Sequence, residues 1–131
     1  HDVAEIINMF DVYLNPSMTE GFGLGMVESQ ACGVVPIGNR CHSMPELVVE
    51  GKTGLICEHG KGYFRNLLGH VYPPDVDSLC GKMEESFKLV QDKHTAKSCR
   101  KHVVDNYNID VIVQTYWKPF LDNLSTELAQ S

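Results

Sequence analysis

Three short apolar runs, residues 11–15, 34–38 and 53–57, recur through the first half of the chain, and helix signals separate them. Leu24 to Cys32 reads as a helix ended by Gly33. Ser43-Met-Pro-Glu46 has capping-box spacing and starts a short helix through Val49. Few folds accept a strand–helix–strand–helix–strand order. Strands joined through helices run parallel, their crossovers are right-handed, and helices cover the sheet. The expectation is therefore α/β, a Rossmann-like parallel sheet with flanking helices. Three strands fall short of the roughly five or six usual in such sheets, so the domain is expected to be partial. Ahead of them, Val3, Ile6, Ile7 and Phe10 make a helical stripe over residues 2–10.

Beyond Asp75 the pattern is helical. Val76, Leu79, Met83, Phe87 and Val90 share one helix face. Ile109, Ile112, Val113, Tyr116, Trp117, Phe120 and Leu124 make a wider stripe, expected to be core packing, with a surface between domains as the alternative. Between the two halves, residues 58–74 read as a loop or insertion, with Tyr63, Phe64, Leu67 and Leu68 on one face of a short helix. A surface excursion is the favoured role for it, over a lid or a partner-docking element. The expected organisation is a single, truncated domain over 1–131, with an α/β part (1–57), this loop, and a helical part (75–131).

Charge and cysteine usage narrow the function. A net charge of −6 argues against nucleic acid as partner, and no apolar run approaches the ~20 residues of a membrane span. Five cysteines without C-x-x-C spacing suit a reducing, cytoplasmic setting. The six histidines show no paired spacing, so no metal is expected.

The chemistry concentrates in Glu20-Gly-Phe-Gly-Leu-Gly-Met-Val-Glu28, where two carboxylates flank a glycine-rich turn that leads from a strand into a helix. Free N–H groups at a helix start favour an anion, and the carboxylates accept hydroxyl donors on either side. A nucleotide-sugar fits that layout. The turn is not a dinucleotide fingerprint, because Met26 stands where a third glycine is needed, and no Gly-Lys-Ser/Thr follows as in a P-loop. Glu28 shares its helix face with Leu24, Ala31 and Cys32, while Ser29 and Gln30 lie off it. A carboxylate on that semi-buried face needs a partner, either a ligand or a Lys or Arg elsewhere in the fold. Glu20 alone reads equally well as a carboxylate favoured by the helix dipole, and the capping-box relation to Ser43 accounts for Glu46 without a function.

Four segments in order, Asp11–Ser17, Glu20–Glu28, Ala31–Ile37, and Pro45-Glu46 with Gly51–Leu55, resemble the C-terminal, donor-binding domain of retaining GT-B glycosyltransferases, especially family 4 (group 1). The resemblance is dense over residues 2–57 and looser over 75–124. It implies the C-terminal half of a GT-B C-terminal domain. The family moves a sugar from a nucleoside diphosphate sugar to an acceptor hydroxyl with retention and needs no cofactor or metal. Carried over, Glu20 contacts the donor sugar and is the catalytic candidate. Gly21, Phe22, Gly23 and Leu24 line the donor, and Glu28 holds the ribose hydroxyls. The family's basic phosphate clamp and acceptor domain have no counterpart here, so turnover by this chain alone is not expected. A non-catalytic nucleotide-sugar-binding or assembly module is the alternative, and an epimerase of the same architecture a weaker one. Expected partners are a nucleotide-sugar, a separate chain or N-terminal domain, and a second copy. The chain departs from the family at His42-Ser43, where a Gly-Gly pair is usual. An imidazole there narrows the sugar pocket, alters acceptor access, or points to solvent.

Overall fold

A computed structural model describes residues 2–130. A short helix α1 (Asp2–Ile7) leads into β1 (Val12–Asn15), α2 (Leu24–Ala31) and β2 (Val35–Asn39). A 3-10 turn over Met44–Leu47 and β3 (Leu55–Cys57) follow. The three strands form one parallel sheet in the order β1-β2-β3, with Asn15 opposite Gly38 and Gly38 opposite Ile56. Each strand lies within two residues of its apolar run in the sequence. The Rossmann-like expectation holds.

Side chains alternate across the sheet, and this assigns the helices to faces. Tyr13 points its hydroxyl at Gly25 of α2, so close that a Cβ there would collide with it. Its neighbour Val12 instead lines a groove of about 600 Å³ with Met83 and Phe87 of α3 (Val76–Gln91). Helices α2 and α3 therefore cover opposite faces. Helix α4 (Thr95–Tyr107) runs beside α2, where the Arg100 guanidinium donates to the Ala31 carbonyl at 2.7 Å. The core under α2 consists of Met26, Met44, Leu47, Val48 and Ile56.

Two expectations fail. Residues 59–74 hold no helix but an antiparallel hairpin, β4 (Tyr63–Arg65) with β5 (Gly69–Val71). The Leu68 amide donates back to the Arg65 carbonyl, and Gly69, at φ 71°, follows in the left-handed conformation. That is a turn plus bulge, and it closes a hairpin that a count of apolar residues overlooks. The stripe over α3 lies on a helix as expected, though little of it is buried. Asp75 caps this helix by accepting from the Ser78 amide, yet Val76 and Phe87 are mostly exposed while Ser86 is buried, its hydroxyl donating to the Met83 carbonyl.

The stripe from Ile109 to Leu124 does not pack in a core. It belongs to a continuous helical tail, α5 (Ile109–Ile112), a π-helical turn over Val113–Trp117, and α6 (Lys118–Gln130). Ile109, Tyr116, Trp117, Phe120 and Leu124 are exposed. Periodicity reports that a face is apolar; it does not report what covers it.

All five cysteines are free thiols. Cys99, in α4, is fully buried against the Thr53 carbonyl, and burial pushes its thiol up to about 11. Only the thiolate reacts. In the native protein at pH 7.5, alkylation followed by intact mass should modify exposed Cys80 and spare Cys99 until denaturant is added. Gly54 supplies a test of packing. A Cβ there would lie 2.6 Å from Val48 Cγ1 and 2.9 Å from the Pro36 carbonyl oxygen. Gly54→Ala should cost about 1–3 kcal/mol in urea unfolding, and an unchanged midpoint would show that the strand ends yield.

Candidate functional site

The candidate residues gather at the C-terminal edge of the sheet, where β1 and β2 deliver their loops. Asn15 ends β1 and accepts from the Ser17 amide at 3.2 Å, which turns the chain off the sheet. Asn39 ends β2 and is fully buried. Its amide nitrogen donates to the Ser17 carbonyl at 2.9 Å and to the Tyr72 carbonyl at 2.6 Å. The Tyr72 amide in turn donates to the Met18 carbonyl at 2.9 Å. Three chain segments are thereby tied together beneath the glycine turn.

Gly23 adopts φ 94° at the start of α2. A Cβ there would lie 2.7 Å from Leu47 Cδ1 and 2.9 Å from Met44 Sδ, so both conformation and space require glycine. No side chain caps the helix. The amides of Leu24 and Gly25 precede the first intrahelical acceptor and are left to solvent or an anion. Phe22 sits at the turn with its ring edge-on to Tyr107, centroids 6.0 Å apart. Burial, followed by the charge of Glu46, raises the Tyr107 phenol above its usual value, and its hydroxyl donates to the Glu46 carbonyl at 3.2 Å.

Glu20 is half-buried beside this turn. Its Cγ lies 3.6 Å from where a Cβ on Gly23 would stand. Its charge also reaches the Cys41 thiol, which is raised first by burial and then by Glu20. Glu28 is exposed and lines a shallow groove of about 300 Å³ with Val3, Ile7, Ala31 and Cys32. The carboxylate is thus on its expected helix face, but that face is open. Among the described residues, no ion pair involves Glu28. Ser29 and Gln30, which lie off that face, are buried. The Ser29 hydroxyl donates to the Met26 carbonyl, and the Gln30 amide donates to the carbonyls of Met26 and Leu47.

The capping box at Ser43 does not form. The Ser43 hydroxyl lies 2.8 Å from the Phe22 carbonyl oxygen and 3.2 Å from that of Gly21, donating across to the glycine turn. Glu46 is exposed and loses its structural explanation. The wrong inference has a physical cause: Met44–Leu47 is a single 3-10 turn, and the serine finds better acceptors in another loop. His42 is the one non-glycine among the described residues with positive φ, at 46°. This conformation costs about 1–2 kcal/mol for a side chain of this kind.

Residues 1–62 match the family model described as glycosyl transferases group 1. That match spans just under half of the chain. The chain is 29% identical over 127 residues to N-acetyl-alpha-D-glucosaminyl L-malate synthase of Bacillus anthracis, an alignment over 94% of this chain and 29% of that protein. It is 27% identical to the GtfA subunit of the UDP-N-acetylglucosamine–peptide N-acetylglucosaminyltransferase of Streptococcus parasanguinis, over 92% of this chain and 22% of that one. The fold matches the crystal structure of a glycosyltransferase from Rickettsia africae ESF-5 with a TM-score of 0.74 at 18% identity, over 94% of this chain and 30% of that chain. The chain therefore spans less than a third of the length of the relatives it matches. Its fold is the GT-B type, represented here in part.

The site carries three ties that sequence reasoning missed: Asn39, Ser43 and Tyr72. A polar residue closing an apolar strand was the available signal for Asn39. Nothing in the sequence marks Tyr72, whose main chain makes the bonds. Ser43→Ala removes the tie to the glycine turn and should cost about 1 kcal/mol in urea unfolding. Amide exchange at Phe22 to Leu24 should accelerate with it, and unchanged exchange would mean that the turn holds itself.

Proposed function

We propose that this chain forms the donor-binding portion of a retaining, family 4 glycosyltransferase, which moves a sugar from a nucleoside diphosphate sugar to an acceptor hydroxyl. One observation carries the reading: an uncapped helix start at Gly23 sits on the C-terminal edge of a parallel sheet, flanked by Glu20 and Glu28, within a group 1 glycosyl transferase segment. Ligands of open α/β sheets bind at this edge.

The diphosphate lies over the amides of Leu24 and Gly25, where the helix dipole offsets its charge. Stabilising the leaving diphosphate as its bond to the sugar breaks is electrostatic catalysis. Glu20, on the loop before the turn, accepts from the sugar hydroxyls. Glu28, open to solvent on the next helix, accepts from the ribose hydroxyls. Basic side chains and acceptor groups come from outside these residues, and no cofactor takes part. Arg40 is not such a basic group, because its guanidinium is held 2.8 Å from the Glu58 carboxylate. The free thiols favour a cytoplasmic location.

A second reading, a nucleotide-sugar-binding or assembly module without turnover, draws on the exposed apolar tail and the groove beside β1. Both surfaces suit burial against more polypeptide, either another domain or another chain.

Calorimetric titration with UDP, GDP and ADP decides between a donor site and a bare scaffold. One of the three should bind, and Glu28→Gln should weaken it about tenfold, or roughly 1.4 kcal/mol. Equal affinity in the variant would remove Glu28 from the site. Heat from none of the three would sink the donor-binding reading.

A further inference from the structure

His42 and the hairpin β4–β5 meet at one point. The His42 Nε2 lies 3.2 Å from the His70 carbonyl oxygen, in the hairpin, and 3.3 Å from Thr19 Oγ1, next to Glu20. A carbonyl can only accept, so the ring donates to it through Nε2. The imidazole thus bridges the glycine-turn loop and the hairpin with a single shared N–H.

The rings reinforce the junction. Tyr72, directly after β5, holds His42 edge-on at 5.7 Å and His59 at 4.8 Å, and it stacks with His70 at 6.2 Å. The backbone runs alongside, Tyr72 amide to Met18 carbonyl and Asn39 amide to Tyr72 carbonyl. A strained, left-handed histidine persists only where its surroundings hold it there, and such outliers cluster at functional sites. The family-model match ends at residue 62, just before the hairpin begins.

We propose that His42 is a positioning residue that fixes the hairpin as a wall beside Glu20, so that the hairpin limits which sugar the donor loop accepts. The inference rests on the nucleotide-sugar reading of the same loop. The nucleotide end, at Glu28 and the α2 amides, lies outside the junction and should be indifferent to it.

Three forms of the chain test this: wild type, His42→Gly and His42→Gln. Glycine suits the backbone and lacks the donor; glutamine strains the backbone and restores an N–H of similar reach. Hydrogen exchange of the Tyr72 amide should be at least fivefold faster in H42G and return toward wild type in H42Q. Titrations should compare UDP with UDP-glucose and UDP-N-acetylglucosamine, or the corresponding esters of whichever diphosphate binds. The affinity ratio between the two sugar esters should change at least fivefold in H42G, while the bare diphosphate binds unchanged. Unaltered exchange in H42G would overturn the tie. Faster exchange with an unaltered sugar ratio would overturn the role in selection. If wild type binds no diphosphate at all, the donor reading fails and selection with it, while the exchange series still decides the tie.

Discussion

The side-chain amide of Asn39 is the interaction on which the candidate site depends. It is fully buried at the end of the central strand, and both of its protons are used, one on the carbonyl of Ser17 and one on that of Tyr72. Its oxygen faces the Cys57 thiol on the neighbouring strand, 3.9 Å away. Removing this amide would strand the Tyr72 carbonyl, at a desolvation cost of about 1–3 kcal/mol, and leave the Ser17 carbonyl to the Cys41 thiol, 3.2 Å away. The loop before the glycine turn and the residue that follows β5 are both tied to the central strand through that one group. The sheet contributes the rigid reference, and Asn39 transmits it to the loops.

How much of this was legible from residues alone depends on the range of the interaction. Strands β1 to β3 and helix α2 were readable because their signals are local: apolar runs, a terminating glycine, a helical period. The start of the helical part at Asp75 is of the same kind. Ser43 failed because its hydroxyl had two sets of acceptors available, one nearby in sequence and one 21 residues back at Phe22, and the distant set won. Residues 59–74 failed because four apolar side chains outweighed one left-handed glycine at position 69. Glu28 was placed on the right helix face, but the openness of that face depends on how α1 packs, which no local pattern encodes.

The apolar surface left open follows from the same limits. Met83 and Phe87, together with Met9 and Phe10, face a groove beside the edge strand β1. An uncovered edge of a parallel sheet is unusual, since such sheets are normally buried on both faces and flanked by further strands. The relatives that align over most of this chain are more than three times its length. Partial coverage of longer relatives and an incomplete hydrophobic enclosure thus agree with each other.

The π-helical turn at Val113–Trp117 has a consequence for whatever meets the tail. A π-turn accommodates one more residue than an α-turn, and each residue of an α-helix advances the side chains by about 100°. The extra residue sets everything after the turn back by about that angle, which brings Phe120 and Leu124 to the same side of the axis as Ile109 and Ile112. The π-turn thus keeps the exposed apolar positions on one ribbon along the tail.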